Sequence, residues 1–311
     1  MDLAQAVLQL NAAAEPSRLR LLVALLGGET TVGDLVTILE QSQPRVSRHL
    51  RVLAEALLLE SFREGRSIYY RWSVPGPDAS ILTAIGAMAG GNDETLARDR
   101  ARLQKLARQR EREGLRRALR SGRARGMHTS AADAPFADLI RGLLGSRQLG
   151  DILHVGCGAG DLLRVLLPDS RTAVGTEPSG HRRQVARARL RQAGLPRWTI
   201  RNALATALPF EAETFDLVIV QDALDPAADA HRILGEAARV LRPTGRLLIL
   251  DRILPTNSEL SGQLAALGFI VNRRQWLPGR APDRALFLAS RLASRLATRP
   301  EVNLARTGTN A

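Results

Sequence analysis

The apolar positions change period along the chain, and each change marks an element. Between Pro16 and Gly28, Leu19, Leu22 and Leu26 recur at helical spacing, with a proline suited to a helix start and Gly27-Gly28 suited to a stop. Thr31 is placed to cap a short second helix that turns Leu35 and Ile38 inward. In "QSQPRVSRHLRVLAEALLL", Ser42 is the N-cap candidate, Pro44 falls in the first turn, and Val46, Leu50, Leu53 and Leu57 make the apolar face. The period then drops to two at Ile68, Tyr70 and Trp72, with Glu64-Gly65 at a turn, which predicts a β-hairpin.

Farther on, "ETLARDRARLQKLARQREREGLRRALR" is rich in helix formers and free of proline, and Leu96, Leu103, Leu106, Leu115 and Leu119 give it an incomplete apolar stripe. A helix through Arg120 would run about 40 Å at about 1.5 Å per residue. It could bridge domains, support a dimer or touch DNA. "SGRARGMHTSAADAP" breaks the pattern and reads as a flexible boundary. From Asp151 the chain alternates strand and helix. "DILHV", "RTAVGTE", "WTIRNA", "FDLVIV" and "RLLILD" are apolar strands, "IVNRRQWLP" and "ALFLASRL" two more, and "PTG" before the fifth reads as a tight turn. Near-continuous apolar strands between helices imply a mostly parallel sheet covered on both faces.

Helix, short helix, polar-faced helix and basic hairpin, in that order, make a winged helix-turn-helix. The polar face of its third helix carries Gln43, Arg45, Ser47, Arg48 and Arg51, and Arg63 and Arg66 flank the hairpin tip. Arginine takes two acceptors of guanine in the major groove and glutamine pairs with adenine. Arginines on a wing reach phosphates or the minor groove. The DNA-binding candidates are therefore Ser42, Gln43, Arg45, Ser47, Arg48, His49, Arg51, Arg63 and Arg66, with His49 serving either the DNA face or its packing.

Charge sharpens this picture. The formal net charge is +13, distributed as −3 over residues 1–95, +9 over 96–126 and +7 over 127–311. A basic block binds nucleic acid by counterion release or is simply a solvated helix face. The single cysteine, Cys157, excludes an intramolecular disulfide and a multi-cysteine metal site. No window approaches about eighteen apolar residues, and the first twenty residues carry no leader pattern. The cytoplasm is the expected compartment.

"PSRLRLL", "SQPRVSRHLRVLAEALLLE" and "REGRSIYYRW" resemble the ArsR family of bacterial regulators. The resemblance covers roughly residues 5–75 and implies a homodimer, joined through its first and last helices, on a palindromic double-stranded DNA operator. Many members hold a metal through a Cys-x-Cys helix. Here "VGDLVTILE" stands in that place, so no metal site is expected.

In "ILHVGCGAGDLL", Gly156, Gly158 and Gly160 follow a strand, where glycine lets the chain turn sharply and a ligand approach the backbone. A dinucleotide fingerprint would need glycine at 161, where Asp161 stands. A lone carboxylate after the second strand, Glu177, suits the two hydroxyls of a ribose. "HVGCGAG", "AVGTEPSGHRRQVARARLRQAGL", "ALPFEAETFDLVIVQDAL" and "AARVLRPTGRLLILD" resemble class I S-adenosylmethionine-dependent methyltransferases over about residues 150–252. That resemblance implies S-adenosyl-L-methionine or S-adenosylhomocysteine as ligand, with Gly156, Cys157, Gly158, Gly160, Glu177, Pro178, Leu204 and Gln221 around it. Two positions depart from the family: His154 and Leu204 replace acids that hold the methionine ammonium and the adenine amino group. The order of the parts is also similar to a known bacterial fusion, whose aromatic-rich segment and His-Tyr pair are missing here.

The expected fold is thus multi-domain: an α+β winged helix-turn-helix over 1–92, an Arg-rich helical connector over 93–126, an α/β Rossmann-like methyltransferase fold with a mostly parallel seven-stranded sheet over 127–295, and a disordered tail over 296–311. The expected function is a ligand-responsive transcriptional regulator. An active methyltransferase with a DNA-binding module, catalytic residues unassigned, is the alternative. A third is a repressor whose second domain has lost its ligand.

Overall fold

The computed structural model describes residues 2–73, 79–120, 134–145, 148–224, 230–252, 257–276 and 284–291. Residues 121–133 of the expected boundary segment 121–135 and the tail 296–311 lie outside these, while Ala134 and Pro135 of that segment open a helix. The chain divides into two compact units, residues 1–209 and 210–311.

The first unit opens with helices α1 (Leu3–Ala13) and α2 (Pro16–Leu25), a two-residue strand β1 (Thr30–Thr31), and helices α3 (Val32–Leu39) and α4 (Gln43–Glu55). The hairpin follows as β2 (Leu59–Glu64) and β3 (Ser67–Trp72), and the sheet order is β1-β3-β2. Thr31 caps α3 through the amide of Asp34, as its position predicts. Ser42 stands at the N-cap of α4 but its side chain makes no cap hydrogen bond. Val46, Leu50 and Leu53 are fully buried and join Leu21, Leu22, Leu35 and Ile38 in one core. Leu57 does not continue that face. The helix ends at Glu55, and Leu57 lies beyond it with φ 58° and 60% exposure.

Helices α5 (Ala79–Gly90) and α6 (Glu94–Arg120) come next. The connector is therefore one continuous 27-residue helix. Its apolar stripe serves two partners. Leu96, Leu103 and Leu106 pack on the helix-turn-helix core, and Leu115 packs on Ala159 and Val185. Helix α7 (Ala134–Leu144), which periodicity did not single out, precedes β4 (Asp151–Val155), α8 (Asp161–Leu166), β5 (Thr172–Thr176), α9 (Gly180–Gln192) and β6 (Trp198–Arg201). Strands β4, β5 and β6 pair in parallel, with His154 opposite Gly175 and Gly175 opposite Ile200.

The second unit contains β7 (Phe215–Gln221), α10 (Ala230–Val240), β8 (Leu241–Arg252), α11 (Asn257–Ala266), β9 (Phe269–Trp276) and β10 (Arg284–Arg291). Strands β7 and β8 are parallel, while β10 is antiparallel to both β8 and β9. Among the described residues the sheet has seven strands in the order β6-β5-β4-β7-β8-β10-β9, mostly parallel as the strand pattern implied. The expected Pro-Thr-Gly turn is absorbed into β8, and the register against β7 shifts between Phe215 and Leu217. Among the described residues, no helix is long and apolar enough to cross a membrane.

Candidate functional site

Helix α4 presents its polar side as the pattern of its residues requires. Ser42, Gln43, Arg45, Arg48 and Arg51 are exposed, Ser47 is half-buried, and the side opposite Val46, Leu50 and Leu53 is thereby polar and cationic. His49 is not on that face. Its side chain is 14% exposed, and its Nδ1 lies 3.6 Å from a carboxylate oxygen of Glu15, so of its two expected roles it takes packing. Glu64 pairs with Ser67 across a two-residue turn, Gly65-Arg66, which leaves Arg63 and Arg66 exposed at the tip of the hairpin.

The inner side of that hairpin carries chemistry that local sequence reading missed. Phe62 and Tyr69 stack with ring centroids 5.3 Å apart. The Arg201 guanidinium lies 5.7 Å from the Phe62 ring and that of Arg187 lies 4.2 Å from the Tyr69 ring. Arg187 Nη2 donates to Glu64 Oε2 at 2.8 Å and Arg183 Nε donates to Glu64 Oε1 at 3.0 Å. Glu29, fully buried, accepts from Arg187 Nε, from the Thr199 hydroxyl and from the Ile200 amide of edge strand β6. Arg191 donates to the Glu29 carbonyl and the Thr30 hydroxyl.

Arg183, Arg187 and Arg191 recur every fourth residue along α9, and all three are buried. That spacing was the available signal, but a run of arginines ordinarily reads as a solvated face. Burial alone would lower the Arg187 pKa, yet the charge of Glu29 and the hydrogen bond to Glu64 outweigh it and hold the guanidinium firmly charged. Burial dominates at Arg191 and lowers its pKa.

Against the N-terminal half of the same helix lies the glycine turn. The amides of Gly156 and Cys157 both donate to the Thr176 carbonyl at 2.9 and 3.0 Å. Glu177, 4% exposed, folds over the turn: its carboxylate accepts from the Gly158 amide at 3.1 Å and from the Ser179 amide at 2.8 Å. The three glycines have different local surroundings. All have positive φ. A Cβ on Gly160 would meet Ala186 Cβ at 3.1 Å, so that glycine admits α9, whereas a Cβ on Gly158 would enter open space. Cys157 packs inward, with its Sγ 2.7 Å from where a Cβ on Gly175 would lie. Burial pushes its thiol pKa far up.

Pro178 is exposed beside Glu177, and His154 is fully buried on β4. Leu204 is 62% exposed, its carbonyl accepting from the Ala207 amide. Gln221 belongs to the second unit, buried at the end of β7. Beyond it the Asp251 carboxylate accepts from the amides of Ala223 and Leu224 at 3.0 and 2.7 Å. Among the described residues, no cluster of three His, Cys, Asp or Glu could hold a metal ion.

Known proteins divide along the same lines. Residues 15–61 match the family "Bacterial regulatory protein, arsR family", and residues 153–249 match the family "Methyltransferase domain". The transcriptional repressor SdpR of Bacillus subtilis is 37% identical over 84 residues, which are 27% of this chain and 93% of the repressor. The arsenical resistance operon repressor of Escherichia coli is 42% identical over 72 residues, covering 22% of this chain and 62% of that protein. The uncharacterized methyltransferase YcgJ of Bacillus subtilis is 27% identical over 109 residues, 35% of this chain and 43% of the relative. The chain thus spans less than half of that methyltransferase relative's length. With its helix-turn-helix matching nearly the whole of a repressor, the chain belongs to the arsR family of bacterial regulatory proteins and joins an ArsR-type DNA-binding domain to a methyltransferase domain.

Proposed function

We propose that this chain is a homodimeric, cytoplasmic regulator that binds an operator through α4 and the hairpin and responds to S-adenosylmethionine or S-adenosylhomocysteine held at the glycine turn. The observation that carries the ligand reading is the open space in front of Gly158, directly beside the Glu177 carboxylate. Two amides occupy one lone pair on each Glu177 oxygen, and a carboxylate has about four acceptor sites, so two ribose hydroxyls find acceptors there. Gly158 supplies backbone that a ligand can approach; Gly160 serves packing. His154 and Leu204 add no carboxylate for the ligand's ammonium or adenine amine, and a missing acceptor costs about 1–3 kcal/mol. The residues present fit a nucleoside held mainly by its sugar and backbone contacts. When bound, S-adenosylmethionine supplies an electrophilic methyl group on sulfur.

A dimer is favoured by the first helix. Leu3, Val7 and Leu10, spaced i, i+4, i+7, are 82%, 47% and 59% exposed. An apolar stripe of this kind gains about 25 cal/mol for each Å² that a second copy covers. Titration calorimetry of the full chain with each ligand tests the site. Heat is expected with at least one, and Gly158→Val should weaken that binding by at least about tenfold by filling the space. No heat with either ligand removes the reading. Transfer of labelled methyl to a cell extract, lost with Gly158→Val, would move the assignment to an active methyltransferase.

A further inference from the structure

One side chain, that of Arg183, hydrogen-bonds both to the segment that closes the glycine turn and to the DNA-facing hairpin. Its Nη1 donates to the Glu177 carbonyl at 2.6 Å and to Asn202 Oδ1 at 3.1 Å, while its Nε donates to Glu64 Oε1 at 3.0 Å. Glu177 is the residue whose carboxylate closes the glycine turn. Glu64 is the last residue before the hairpin turn, and Arg63 and Arg66 are its exposed neighbours. A guanidinium is planar and its donors diverge in a fixed fork, so one arginine fixes both acceptors relative to each other. Buried as it is, at 7% side-chain exposure, Arg183 has no rotamer freedom in which to decouple them.

We propose that Arg183 and Glu64 form the coupling element of this regulator: the Arg183–Glu64 bridge carries ligand occupancy at the glycine turn to the DNA-contacting hairpin. The inference rests on the ligand reading above. Ribose hydroxyls donating to the remaining acceptor sites of the Glu177 carboxylate share its two oxygens with the Gly158 and Ser179 amides, and so reset the position of the side chain between them. Any adjustment of Glu177 moves its carbonyl, which is the atom Arg183 holds. Helix α9 begins only three residues later, at Gly180. The hairpin follows Arg183 because its whole inner side is bound to the same segment. Arg187 ties Glu64 and Tyr69 to α9, and Arg201 lies over Phe62. Helix α6 reaches the glycine turn by another path: Leu115 packs on Ala159, and Glu111 accepts from Arg189, which also donates to the Asp161 carboxylate beside Gly160. These contacts include neither Glu177 nor a residue of the hairpin, whereas Arg183 holds both.

Coupling of this kind is reciprocal and is measured as one factor: the ratio of DNA affinities with and without ligand. The probe is a duplex enriched by the protein itself from a random-sequence pool, with whichever adenosyl ligand gives heat. The wild-type chain should show a factor of at least about five. Glu64→Gln should bring it to about one while leaving ligand affinity without DNA within about twofold of wild type. Arg183→Lys keeps the charge but cannot span both acceptors, and should also lower the factor toward one. A third readout needs no substitution: ligand added to the wild-type chain without DNA should change amide exchange at residues 63–67. Unchanged coupling in a folded Glu64→Gln variant, or unchanged exchange in the hairpin of a chain whose DNA affinity does respond, overturns the bridge and leaves the ligand reading standing. Ligand binding with a wild-type factor of one overturns the bridge and the ligand-responsive reading together. Absence of ligand binding removes the site itself.

Discussion

Glu29 and Arg187 stand 158 residues apart in the chain and meet at 2.5 Å, with 0% and 7% of their side chains exposed. Neither charge has bulk water to fall back on, so each depends on the other and on its remaining hydrogen bonds. Removing one partner of such a pair typically costs about 3–5 kcal/mol, because the survivor is left buried and uncompensated. Glu29→Ala should lower the urea midpoint of the first unit accordingly. Glu94→Ala, which breaks an exposed pair with Arg98, should leave it within about 0.5 kcal/mol. Equal midpoints for the two variants would contradict the assignment of Glu29 as the anchor of edge strand β6.

Glu64 makes stability depend on acid pH. Burial raises its carboxyl pKa, but the hydrogen bond and charge of Arg187, with those of Arg183, outweigh burial and hold it below 4.5 in the folded state. A group whose folded pKa is depressed stabilises above the unfolded value, and that contribution disappears as pH falls through the folded one. Glu15 and Glu113 are lowered as well and act over the same window. The wild-type chain should therefore lose stability below about pH 4.5. Glu64→Gln should be less stable at neutral pH and fall less steeply below that point. Parallel curves for the two proteins would show that Glu64 is not a contributor.

How much of this was legible beforehand follows from where the partners lie. Thr31, Val46, Leu50 and Leu53 act within their own helices or on the next one, and their roles follow from spacing. The strands of the sheet were legible because burial on both faces leaves a continuous apolar run. Arg183, Arg187 and Arg191 were not, since their acceptors Glu29 and Glu64 lie well over a hundred residues upstream. Leu57 misled for the opposite reason: it keeps the helical spacing, but the chain has already left the helix in a left-handed conformation. At the glycine turn the three glycines looked equivalent, and only packing separates Gly158, facing open space, from Gly160, facing Ala186.

Helices α6 and α9 cross at a position that tolerates no side chain. A Cβ on Gly114 would lie 2.7 Å from Val185 Cγ2 and 3.2 Å from the His181 carbonyl. Gly114→Ala gains about 1 kcal/mol of helix propensity but must push the helices apart, and overpacking costs about 1–3 kcal/mol. The net effect should be destabilising. Gly142→Ala in α7, where a Cβ meets nothing within 4 Å, should stabilise by about 0.5–1 kcal/mol. Thermal melts of the two variants should shift in opposite directions, and a stabilised Gly114→Ala would place the crossing elsewhere.

Cys157 is unsuited to act as a nucleophile. It is fully enclosed beside Leu163, Ile200 and Gly175, and burial, reinforced by the charge of Glu177, drives its thiol pKa well above the ordinary value. Only the thiolate reacts with disulfide reagents. A colorimetric aromatic disulfide should leave the native protein unmodified at mildly alkaline pH and titrate one thiol after denaturation. Rapid stoichiometric labelling of the native chain would place Cys157 at an accessible surface.

Under the proposed function Arg48 and Arg63 should fail differently when removed, because that reading assigns bases to the helix that carries one and phosphates to the hairpin that carries the other. Arg48 is exposed opposite Leu50 and Leu53, near the middle of α4. If its guanidinium takes two acceptors of a guanine, Arg48→Ala costs about 1–3 kcal/mol and relaxes preference at one base pair. Arg63 is exposed at the hairpin tip with its Nε on the Gly65 carbonyl, and the same reading assigns its charge to phosphate. Arg63→Ala should weaken all duplexes alike and reduce the salt slope of binding by about one. Binding measured over a range of salt, on the enriched duplex and on single-base variants of it, separates the two. A uniform loss with Arg48→Ala, with base preferences intact, would show that α4 meets the DNA only along its backbone.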